Sequence, residues 1–408
     1  MHEKIYMRRP VVEIDGDEMA RVMWSLVKEL LLEPYVDLKT EYYDLGLRHR
    51  DETDDRVTAE AANAIKRIGI GVKCATITPN AERVKEYGLK NEWPSPNATI
   101  RKVLGGTIFR KPILLRNVIP AVRSWKKPIV IARHAFGDIY DGEGLEFGQS
   151  GYVELSFKSG TSVNSVRKLV TGPGIAEVKV NSLSSIEEFA RSCFNYALDE
   201  RMDLWFAAKD TISKVYDAKF KQIFGEIYEK SYAQKFRAAG ITYSYFLIDD
   251  ALSRVVRSEG GFVWAAKNYD GDILSDLISS GFGSLALMTS ELYSPDGFKE
   301  FEAAHGTVQR HYYAYLKGEP VHTNPIATIF AWTGALRARG KADDTPQLSM
   351  FSDTLEWAVK KTVEADGVMT KDVASMSAIP PSHVATLQEF LTRVQENLEL
   401  ALGRGEQK

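Results

Sequence analysis

The chain has 408 residues, with 52 lysines and arginines against 55 aspartates and glutamates, so its net charge is −3. This balance argues against a protein that wraps nucleic acid. No apolar run approaches the roughly 20 residues of a membrane helix, so we expect neither nucleic acid nor a membrane as partner. Residues 1–10 lack the apolar segment of a secretory signal, and the two cysteines, Cys74 and Cys193, predict buried core positions and a cytoplasmic protein.

Short apolar runs alternate with helical periodicity along the chain. Residues 10–14 predict a strand, and apolar positions between 19 and 30 predict an amphipathic helix. Residues 204–208, 243–248 and 262–266 predict further strands, and 213–239 a long helix. Ser184 with Glu187, and Thr386 with Glu389, predict capping boxes of two more helices. This alternation predicts an α/β protein with a largely open, twisted sheet.

Glycine-rich residues 137–183 interrupt that pattern. Two runs inside the segment, 152–157 and 165–170, are typical of β-strands. We therefore predict hairpins inserted between α/β units. Hairpins with open edges need a partner, which favours an oligomer contact.

Three aspartates are candidate metal ligands. Asp272 and Asp276 lie four residues apart, which puts both carboxylates on one face if this segment is helical. Asp249 follows the predicted strand 243–248, at a strand end where open α/β sheets bind ligands. Such hard oxygen donors suit Mg²⁺ or Mn²⁺. The alternative is an acidic first helical turn favoured by the helix dipole.

Two further groups of side chains are candidates for anion binding. Arg101, Arg110 and Arg133 lie nine and 23 residues apart, so only the fold can bring them together. Arginine binds carboxylates through two parallel hydrogen bonds, although ordinary surface ion pairs remain an alternative. Residues 302–311 combine small residues, Gly306 and Thr307, with two candidate cations, and their alternative is a polar loop.

At these residues the sequence resembles a known family. Six segments in the same order are similar to NADP-dependent isocitrate dehydrogenases of the dimeric type, namely 73–79, 95–97, 133–135, 268–272, 303–311 and 323–327. The resemblance extends from about Pro10 to the last predicted helix. It implies oxidative decarboxylation of isocitrate to 2-oxoglutarate, with NADP and Mg²⁺ or Mn²⁺ as cofactors.

The resemblance also implies a fold. We expect the two-domain α/β fold of isocitrate and isopropylmalate dehydrogenases, which is not a Rossmann fold. Residues 1–104 with 284–408 would form a large domain, and 105–136 with 184–283 a small one. Residues 137–183 would form an inserted clasp that interlocks with a second copy in a homodimer. The clasp departs most from better-known members of the family.

The roles of individual residues follow from the matching motifs. Isocitrate would be held by Thr78, Ser95, Asn97, Arg101, Arg110 and Arg133. The metal would be held by Asp272 and Asp276 of one subunit and Asp249 of the other. Tyr140 and Lys209 match the catalytic pair, with Lys209 also supplied by the other subunit, so that each active site is shared.

Coenzyme contacts follow in the same way. The resemblance implies NADP contacts at Lys73, Thr76, Thr78, Gly306, Thr307, Val308, Arg310, His311 and Asn324. Arg310 and His311 would supply cations for the 2′-phosphate. Arg254 and Arg257 would approach it from the neighbouring subunit, where the family more often has glutamine and lysine, and Arg254 could instead form a surface ion pair.

Two rival functions remain open from the sequence. Another metal-dependent β-decarboxylating dehydrogenase would act on isopropylmalate, homoisocitrate or tartrate, and Ser95 and Asn97 argue against it. A non-catalytic binding protein on the same scaffold would be expected to lose Tyr140, Lys209 or a metal aspartate, and the chain retains them all.

Overall fold

A computed structural model describes residues 3–403. Its strands, in chain order, are β1 (Ile5–Tyr6), β2 (Val11–Asp15), β3 (Val36–Asp37), β4 (Thr40–Asp44), β5 (Ile70–Lys73), β6 (Thr107–Pro112), β7 (Ile129–His134), β8 (Asp138–Phe147), β9 (Gly151–Ser159), β10 (Ser162–Val170), β11 (Gly174–Val180), β12 (Asp203–Ala208), β13 (Tyr243–Leu247), β14 (Phe262–Ala266), β15 (Met288–Tyr293), β16 (Lys299–Ala303), β17 (Val368–Met369) and β18 (His383–Val384).

Helices cover both faces of the main sheet, which ten of these strands form. They are α1 (Glu18–Val27), α2 (Leu47–Glu52), α3 (Arg56–Ile68), α4 (Ala81–Tyr87), α5 (Pro96–Leu104), α6 (Leu183–Glu200), α7 (Tyr216–Ile227), α8 (Ala233–Ala239), α9 (Ile248–Arg257), α10 (Asn268–Phe282), α11 (Gln309–Leu316), α12 (Ile326–Ala342), α13 (Pro346–Glu364), α14 (Lys371–Met376) and α15 (Leu387–Ala401). Single π-helical turns follow α1 at Lys28–Leu32 and α7 at Tyr228–Tyr232. None of the helices within residues 3–403 has the length and apolar character needed to span a bilayer.

One open, mixed sheet of ten strands organises the molecule. Its order is β13-β12-β14-β7-β6-β15-β16-β5-β2-β4. The strands are parallel at both ends, from β13 to β7 and from β16 to β4, and antiparallel where β6 and β15 join them. The predicted α/β architecture is therefore confirmed, and the carboxyl ends of several parallel strands are available for side chains that bind ligands.

The predicted elements agree with the structure except in two helices. The predicted helix 213–239 begins at Tyr216 and consists of α7, a π-helical turn and α8. The capping box at Thr386 and Glu389 is confirmed, with both reciprocal hydrogen bonds present. The capping box at Ser184 and Glu187 is wrong, because α6 begins at Leu183 and Ser184 already lies in its first turn. The cap is Ser182, whose hydroxyl accepts the backbone N–H of Ser185 over 3.1 Å.

Aromatic pairs mark two separate cores. Trp24 on α1 and Trp332 on α12 lie 4.8 Å apart in the larger core, and Phe206 on β12 stacks on Phe224 of α7 at 4.0 Å in the second. Cys74 and Cys193 are unpaired and buried, one in each core, as predicted.

The glycine-rich segment forms two antiparallel pairs, β8 with β11 and β9 with β10. The predicted hairpin is confirmed for β9 and β10, whereas β8 and β11, which flank this hairpin in the sequence, pair with each other. Large apolar side chains on these strands are exposed to solvent, including Phe157 at 68%, Leu169 at 81% and Ile175 at 80%. Exposed apolar surface of this kind is typical of a contact with another protein surface.

Candidate active site

Three arginines converge on one face of the large sheet. Arg110 on β6 and Arg133 on β7 belong to neighbouring antiparallel strands, in a register that pairs Ile108 with Arg133 and Arg110 with Ile131. Both side chains therefore project from the same face. Arg101 joins them from α5, where its guanidinium lies 3.7 Å from Oε1 of Glu302, whose strand partner Ser290 lies opposite Arg110. Burial and the charges of Arg101 and Arg110 lower the pKa of Arg133, against the opposing effect of Asp272. The fold thus assembles a group that is scattered in the sequence.

Helix α10 presents its carboxylates to two of these arginines. Arg133 donates from Nε to Oδ1 of Asn268 over 2.9 Å, and its guanidinium pairs with Asp272. Arg110 donates to Oδ1 of Asp276 over 3.2 Å. The cations and the two aspartates consequently form one charged cluster between the sheet and the helix.

The position of Asp272 and Asp276 within α10 argues against the alternative of an acidic first helical turn. The helix begins at Asn268, so neither aspartate lies in its first turn, where the dipole effect is concentrated. The acid in that turn is Asp270, which pairs with Lys267 at 2.9 Å. Asp272 and Asp276 share one helix face and remain 37% and 63% exposed, so their oxygens are accessible to a ligand.

Close packing of α10 against β7 depends on Gly271. A Cβ atom at this position would lie 2.8 Å from Cβ of Arg133, which is closer than real side chains come. Glycine therefore allows the helix to approach the strand that carries Arg133. The short distance keeps the arginine and the aspartates within reach of one small ligand.

Tyr140 joins this cluster from the base of the inserted hairpins. Its hydroxyl, on β8, donates to Oδ2 of Asp272 over 2.5 Å, and the guanidinium of Arg133 lies 5.0 Å from the ring centre. Burial and the hydrogen bond to Asp272 raise the pKa of Tyr140 above its ordinary value. The phenol is therefore protonated at neutral pH.

Lys209 and Asp249 form a second, separate pair. They follow the neighbouring parallel strands β12 and β13, and Lys209 Nζ lies 2.5 Å from Oδ1 of Asp249. Both side chains are partly exposed. Within residues 3–403 of one chain, no group of three histidine, cysteine, aspartate or glutamate side chains is placed to hold a metal. A single chain therefore does not bring Asp249 to Asp272 and Asp276.

The start of α5 and the turn after β5 carry polar side chains that can form hydrogen bonds. Ser95 is the first residue before α5 and makes no side-chain capping bond. The side-chain oxygen of Asn97 is buried and has no hydrogen-bond partner within residues 3–403. Thr76 is half-buried and Thr78 is exposed. The oxygen of Asn97 can therefore hydrogen-bond a bound molecule without breaking an existing contact.

The side chain of Lys73 lies beneath the surface of the candidate site. It is buried and pairs with Oε2 of Glu302 at 3.3 Å, while Arg101 lies 3.7 Å from Oε1 of the same carboxylate. Burial opposes ionisation of Glu302, but the charges of Lys73 and Arg101 hold its pKa below the ordinary value. Glu302 thereby contacts both Lys73, a predicted coenzyme residue, and Arg101, a predicted substrate residue.

Gly306, Thr307 and Val308 form a turn that leads into α11. Val308 adopts a left-handed conformation, with φ of +57°, as the residue before the helix. The carbonyl of Thr307 accepts the N–H of Ala20 over 3.2 Å, and its hydroxyl pairs with Glu18. Gly306 is exposed at the outer edge of this turn.

Arg310 and His311 lie in the first turn of α11, and they differ in charge. Arg310 is exposed. His311 shares a hydrogen bond of 2.9 Å with the hydroxyl of Thr323, and burial together with the charge of Arg310 lowers its pKa. At neutral pH His311 is therefore a neutral hydrogen-bonding group, which corrects the expectation that both residues are cations. Asn324 donates to Asp372 over 3.0 Å nearby.

Arg254 and Arg257 lie in the last turn of α9, far along the chain from this loop. They line a cavity of about 450 Å³ together with Trp205, Asp250, Ser253 and Ser258. Arg254 donates to Oδ2 of Asp250 over 2.8 Å, so it does form the surface ion pair considered as its alternative. Its guanidinium also lies 4.7 Å from the ring centre of Phe246.

The sequence did not predict the roles of several residues in the cluster. Asn268 and Ser275 hold Arg133 and Arg110, and Glu302 joins Lys73 to Arg101. Asn268 stands beside the aspartate motif, so its position was a usable signal. Glu302 had no such signal, because its role depends on strand neighbours that lie more than 200 residues away.

Comparison with known proteins shows a family match over nearly the whole chain. The family model described as isocitrate/isopropylmalate dehydrogenase matches residues 8–394. The protein named isocitrate dehydrogenase [NADP] 1 of Mycobacterium tuberculosis is 50% identical over 404 residues, which cover 98% of each chain. Isocitrate dehydrogenase [NADP] of Sphingobium yanoikuyae is 47% identical over 98% of this chain and 99% of its own. The mitochondrial enzyme of Saccharomyces cerevisiae is 47% identical over 97% and 94%.

These matches cover nearly the whole chain and agree with the mixed α/β sheet described above. The family resemblance predicted from six short segments is confirmed, and so is the fold class. The chain belongs to the isocitrate/isopropylmalate dehydrogenase family.

Proposed function

We propose that this chain is an NADP-dependent isocitrate dehydrogenase that acts as a homodimer. It oxidises and decarboxylates isocitrate to 2-oxoglutarate and CO₂, reduces NADP, and requires Mg²⁺ or Mn²⁺. The observation that carries the proposal is the convergence of Arg101, Arg110 and Arg133 beside two helix carboxylates and a phenol. The names of the three relatives support the same activity.

The arginines account for a substrate with three carboxylates. Each guanidinium offers two parallel hydrogen bonds to a carboxylate, and this geometry is specific for planar anions. Ser95 and the unpartnered oxygen of Asn97 stand beside them as uncharged hydrogen-bonding groups. A tricarboxylate that also carries a hydroxyl group fits this combination of charged and neutral partners.

The donor set fits a hard divalent cation. Asp272 and Asp276 offer partly exposed carboxylate oxygens on one helix face, and Asp249 offers another from a different surface. A cation bound there would supply Lewis-acid polarisation, and the nicotinamide of NADP would supply the hydride acceptor. The protein itself would position the substrate carboxylates and handle the protons.

Tyr140 and Lys209 are the proposed proton-transfer groups. Tyr140 holds its proton at neutral pH and is hydrogen-bonded to Asp272, so it can protonate the carbon from which CO₂ departs. Lys209, held beside Asp249, would first release a proton to solvent and then, as the neutral amine, accept the proton of the substrate hydroxyl. Within one chain the two groups belong to separate clusters, so they require a second subunit to meet.

A homodimer with shared active sites is supported by exposed apolar surface. Tyr269, Ile273 and Leu277 form a stripe along α10, four residues apart, and are 42%, 52% and 52% exposed. This stripe lies on the helix that carries Asp272 and Asp276. Burying it against the surface of a second copy that carries Lys209 and Asp249 would complete the proposed shared site.

A division into two domains and a clasp is also proposed, and the two hydrophobic cores support it. Residues 1–104 with 284–408 contain most of the core around Trp24 and Trp332, and 105–136 with 184–283 contain most of the core around Phe206 and Phe224. Residues 137–183 would be the dimer clasp. Residues 1, 2 and 404–408 of the proposed large domain lie outside the described residues. A cytoplasmic location also stays a prediction.

Coenzyme choice yields a direct prediction for Arg310. Since His311 is neutral, Arg310 supplies the positive charge in this loop for the 2′-phosphate of NADP. Arg310→Asp replaces attraction by repulsion of that phosphate, and we expect the KM for NADP to rise about 100-fold while the KM for NAD changes little. Steady-state kinetics with both coenzymes measures this difference. An equal rise for NAD and NADP would contradict the assignment.

An assay of the purified protein tests the function directly. We expect reduced coenzyme to form from isocitrate and NADP when Mg²⁺ or Mn²⁺ is present, and not after chelation of the metal. Isopropylmalate and homoisocitrate serve as control substrates. Isopropylmalate lacks the third carboxylate of isocitrate, and homoisocitrate places it one methylene further away. Faster turnover of either control would replace the proposed substrate, and no turnover of any would favour a binding protein.

A further inference from the structure

We propose that Asp217, together with Lys267, is a positioning residue that mechanically couples the two active sites of the dimer. The inference rests on the proposed function, in which each subunit lends Lys209 to its partner and keeps Asp272 and Asp276 for itself. Neither Asp217 nor Lys267 belongs to the predicted substrate, coenzyme or metal residues.

One oxygen of Asp217 holds the backbone of Lys209. Asp217 lies in the first turn of α7, and its Oδ2 accepts the backbone N–H of Lys209 over 2.8 Å. The carbonyl of Lys209 accepts the N–H groups of Ile212 and Ser213 over 3.0 and 2.9 Å. Both backbone polar groups of Lys209 are therefore engaged, and the turn that presents its side chain closes on Asp217.

The same oxygen holds the start of α10. Lys267 immediately precedes this helix, and its Nζ lies 2.9 Å from Oδ2 of Asp217 and 2.9 Å from Oδ2 of Asp270. The side chains of Asp217 and Lys267 are only 5% and 11% exposed. A buried ion pair with several hydrogen bonds has one well-defined geometry, because any displacement leaves a charge without its partner.

A third contact extends this network to Tyr140. The backbone N–H of Tyr269, in the first turn of α10, donates to Oδ2 of Asp138 over 3.2 Å. Asp138 begins β8, two residues before Tyr140, and has a left-handed backbone with φ of +64°. The start of α10 is thus fixed both to the strand of Tyr140 and, through Lys267 and Asp217, to the turn of Lys209.

The consequence concerns both active sites. Lys209 would act in the partner's site, whereas Tyr140, Asp272 and Asp276 would act in their own. Asp217 ties the two sets together, so displacement of α10 when one site binds substrate or metal would shift the Lys209 that serves the other. Misplacement of a catalytic group by about 1 Å can lower a rate 100-fold.

A heterodimer separates the two effects of Asp217. One subunit carries Lys209→Met and the other Asp272→Asn, with different affinity tags for purification. If the sites are shared, this reference heterodimer has a single intact site, formed by Asp272 of the first subunit and Lys209 of the second. We expect about half of the wild-type turnover per dimer, since one of two equivalent sites survives.

Asp217→Asn is then added to either subunit of the reference heterodimer. In the first subunit it affects the surviving site through α10, and in the second through Lys209. We expect both placements to lower kcat of that site about tenfold or more, with little change in the KM for NADP. Asp217→Ala, which also removes the hydrogen-bond acceptor, should lower kcat further if it folds.

Asp210→Asn is the matched control. Asp210 is the next residue after Lys209, but its carboxylate pairs with Lys221 and Tyr245 at 2.9 and 2.5 Å instead of with the Lys209 backbone. It should leave kcat unchanged in both placements, and melting temperatures and dimer size would be compared throughout. If the reference heterodimer is active but Asp217→Asn lowers kcat in only one of the two subunits, or in neither, the coupling is wrong and the shared site stands. An inactive reference would overturn the shared site and the coupling with it.

Discussion

Asp276→Asn is expected to abolish metal-dependent turnover while the protein stays folded. The substitution removes a charged oxygen donor from the proposed metal site and leaves an amide of the same shape. Since a bound divalent cation is worth several kcal/mol to a reaction of this kind, we expect kcat to fall at least about 100-fold. Asp276 is 63% exposed and belongs to no core cluster, so its loss should affect stability little.

Titration with Mg²⁺ and Mn²⁺ measures the effect of this substitution. The reduced coenzyme is followed at increasing metal concentration, and metal binding is measured separately by calorimetry. Asp353→Asn is the matched control, because Asp353 is a 69% exposed helical aspartate that also pairs with an arginine, Arg337, but lies outside the site. Undiminished turnover of the Asp276 variant would exclude it as a metal ligand.

Arg133→His is expected to lower kcat/KM for isocitrate about 100- to 1,000-fold. Arg133 is 6% exposed and is the most deeply buried of the three converging arginines. An imidazole is too short and lacks the two parallel donors, so one carboxylate of the substrate would be left without its partner in a buried site. Loss of one member of such a buried charge pair typically costs 2–5 kcal/mol.

The kinetic pattern distinguishes loss of substrate contact from general damage. The KM for NADP should change little, because Arg133 contacts Asn268, Asp272 and Tyr140, none of which belongs to the loop of Arg310. Arg133→Lys should retain part of the activity, since it keeps one charge but not the planar fork. Arg123→His, at an exposed position between β6 and β7, is the control and should behave as wild type. Comparable losses at both positions would argue against a specific role.

The type of most elements could be predicted because the signals are local. The period of apolar residues defined the strands that became β12, β13 and β14 to within one residue. The cap of α15 was found because Thr386 and Glu389 satisfy each other within one turn. The cap of α6 was misplaced because three serines stand close together in the sequence. Only the backbone conformation after β11, which is extended at Ser182, shows which serine caps the helix.

Charge states could not be predicted in the same way. His311 stands beside Arg310 in the sequence and was expected to carry a charge, yet burial and that same arginine lower its pKa. Glu302 and Lys73 neutralise each other across neighbouring strands. Desolvation and charge pairing depend on which residues are neighbours in space, and the order of residues along the chain does not show this.

By itself, therefore, the sequence determined the α/β class, the family and the residue types that a tricarboxylate and a divalent cation require. These follow from periodicity and from short motifs, whose physical causes act over a few residues. The tertiary structure alone decided that Arg101, Arg110 and Arg133 meet beside α10, and that Lys209 and Asp249 remain apart from them in one chain. It also placed Asp217 between the two groups, because a buried carboxylate takes its role from the cation and the backbone amide that the fold brings to it.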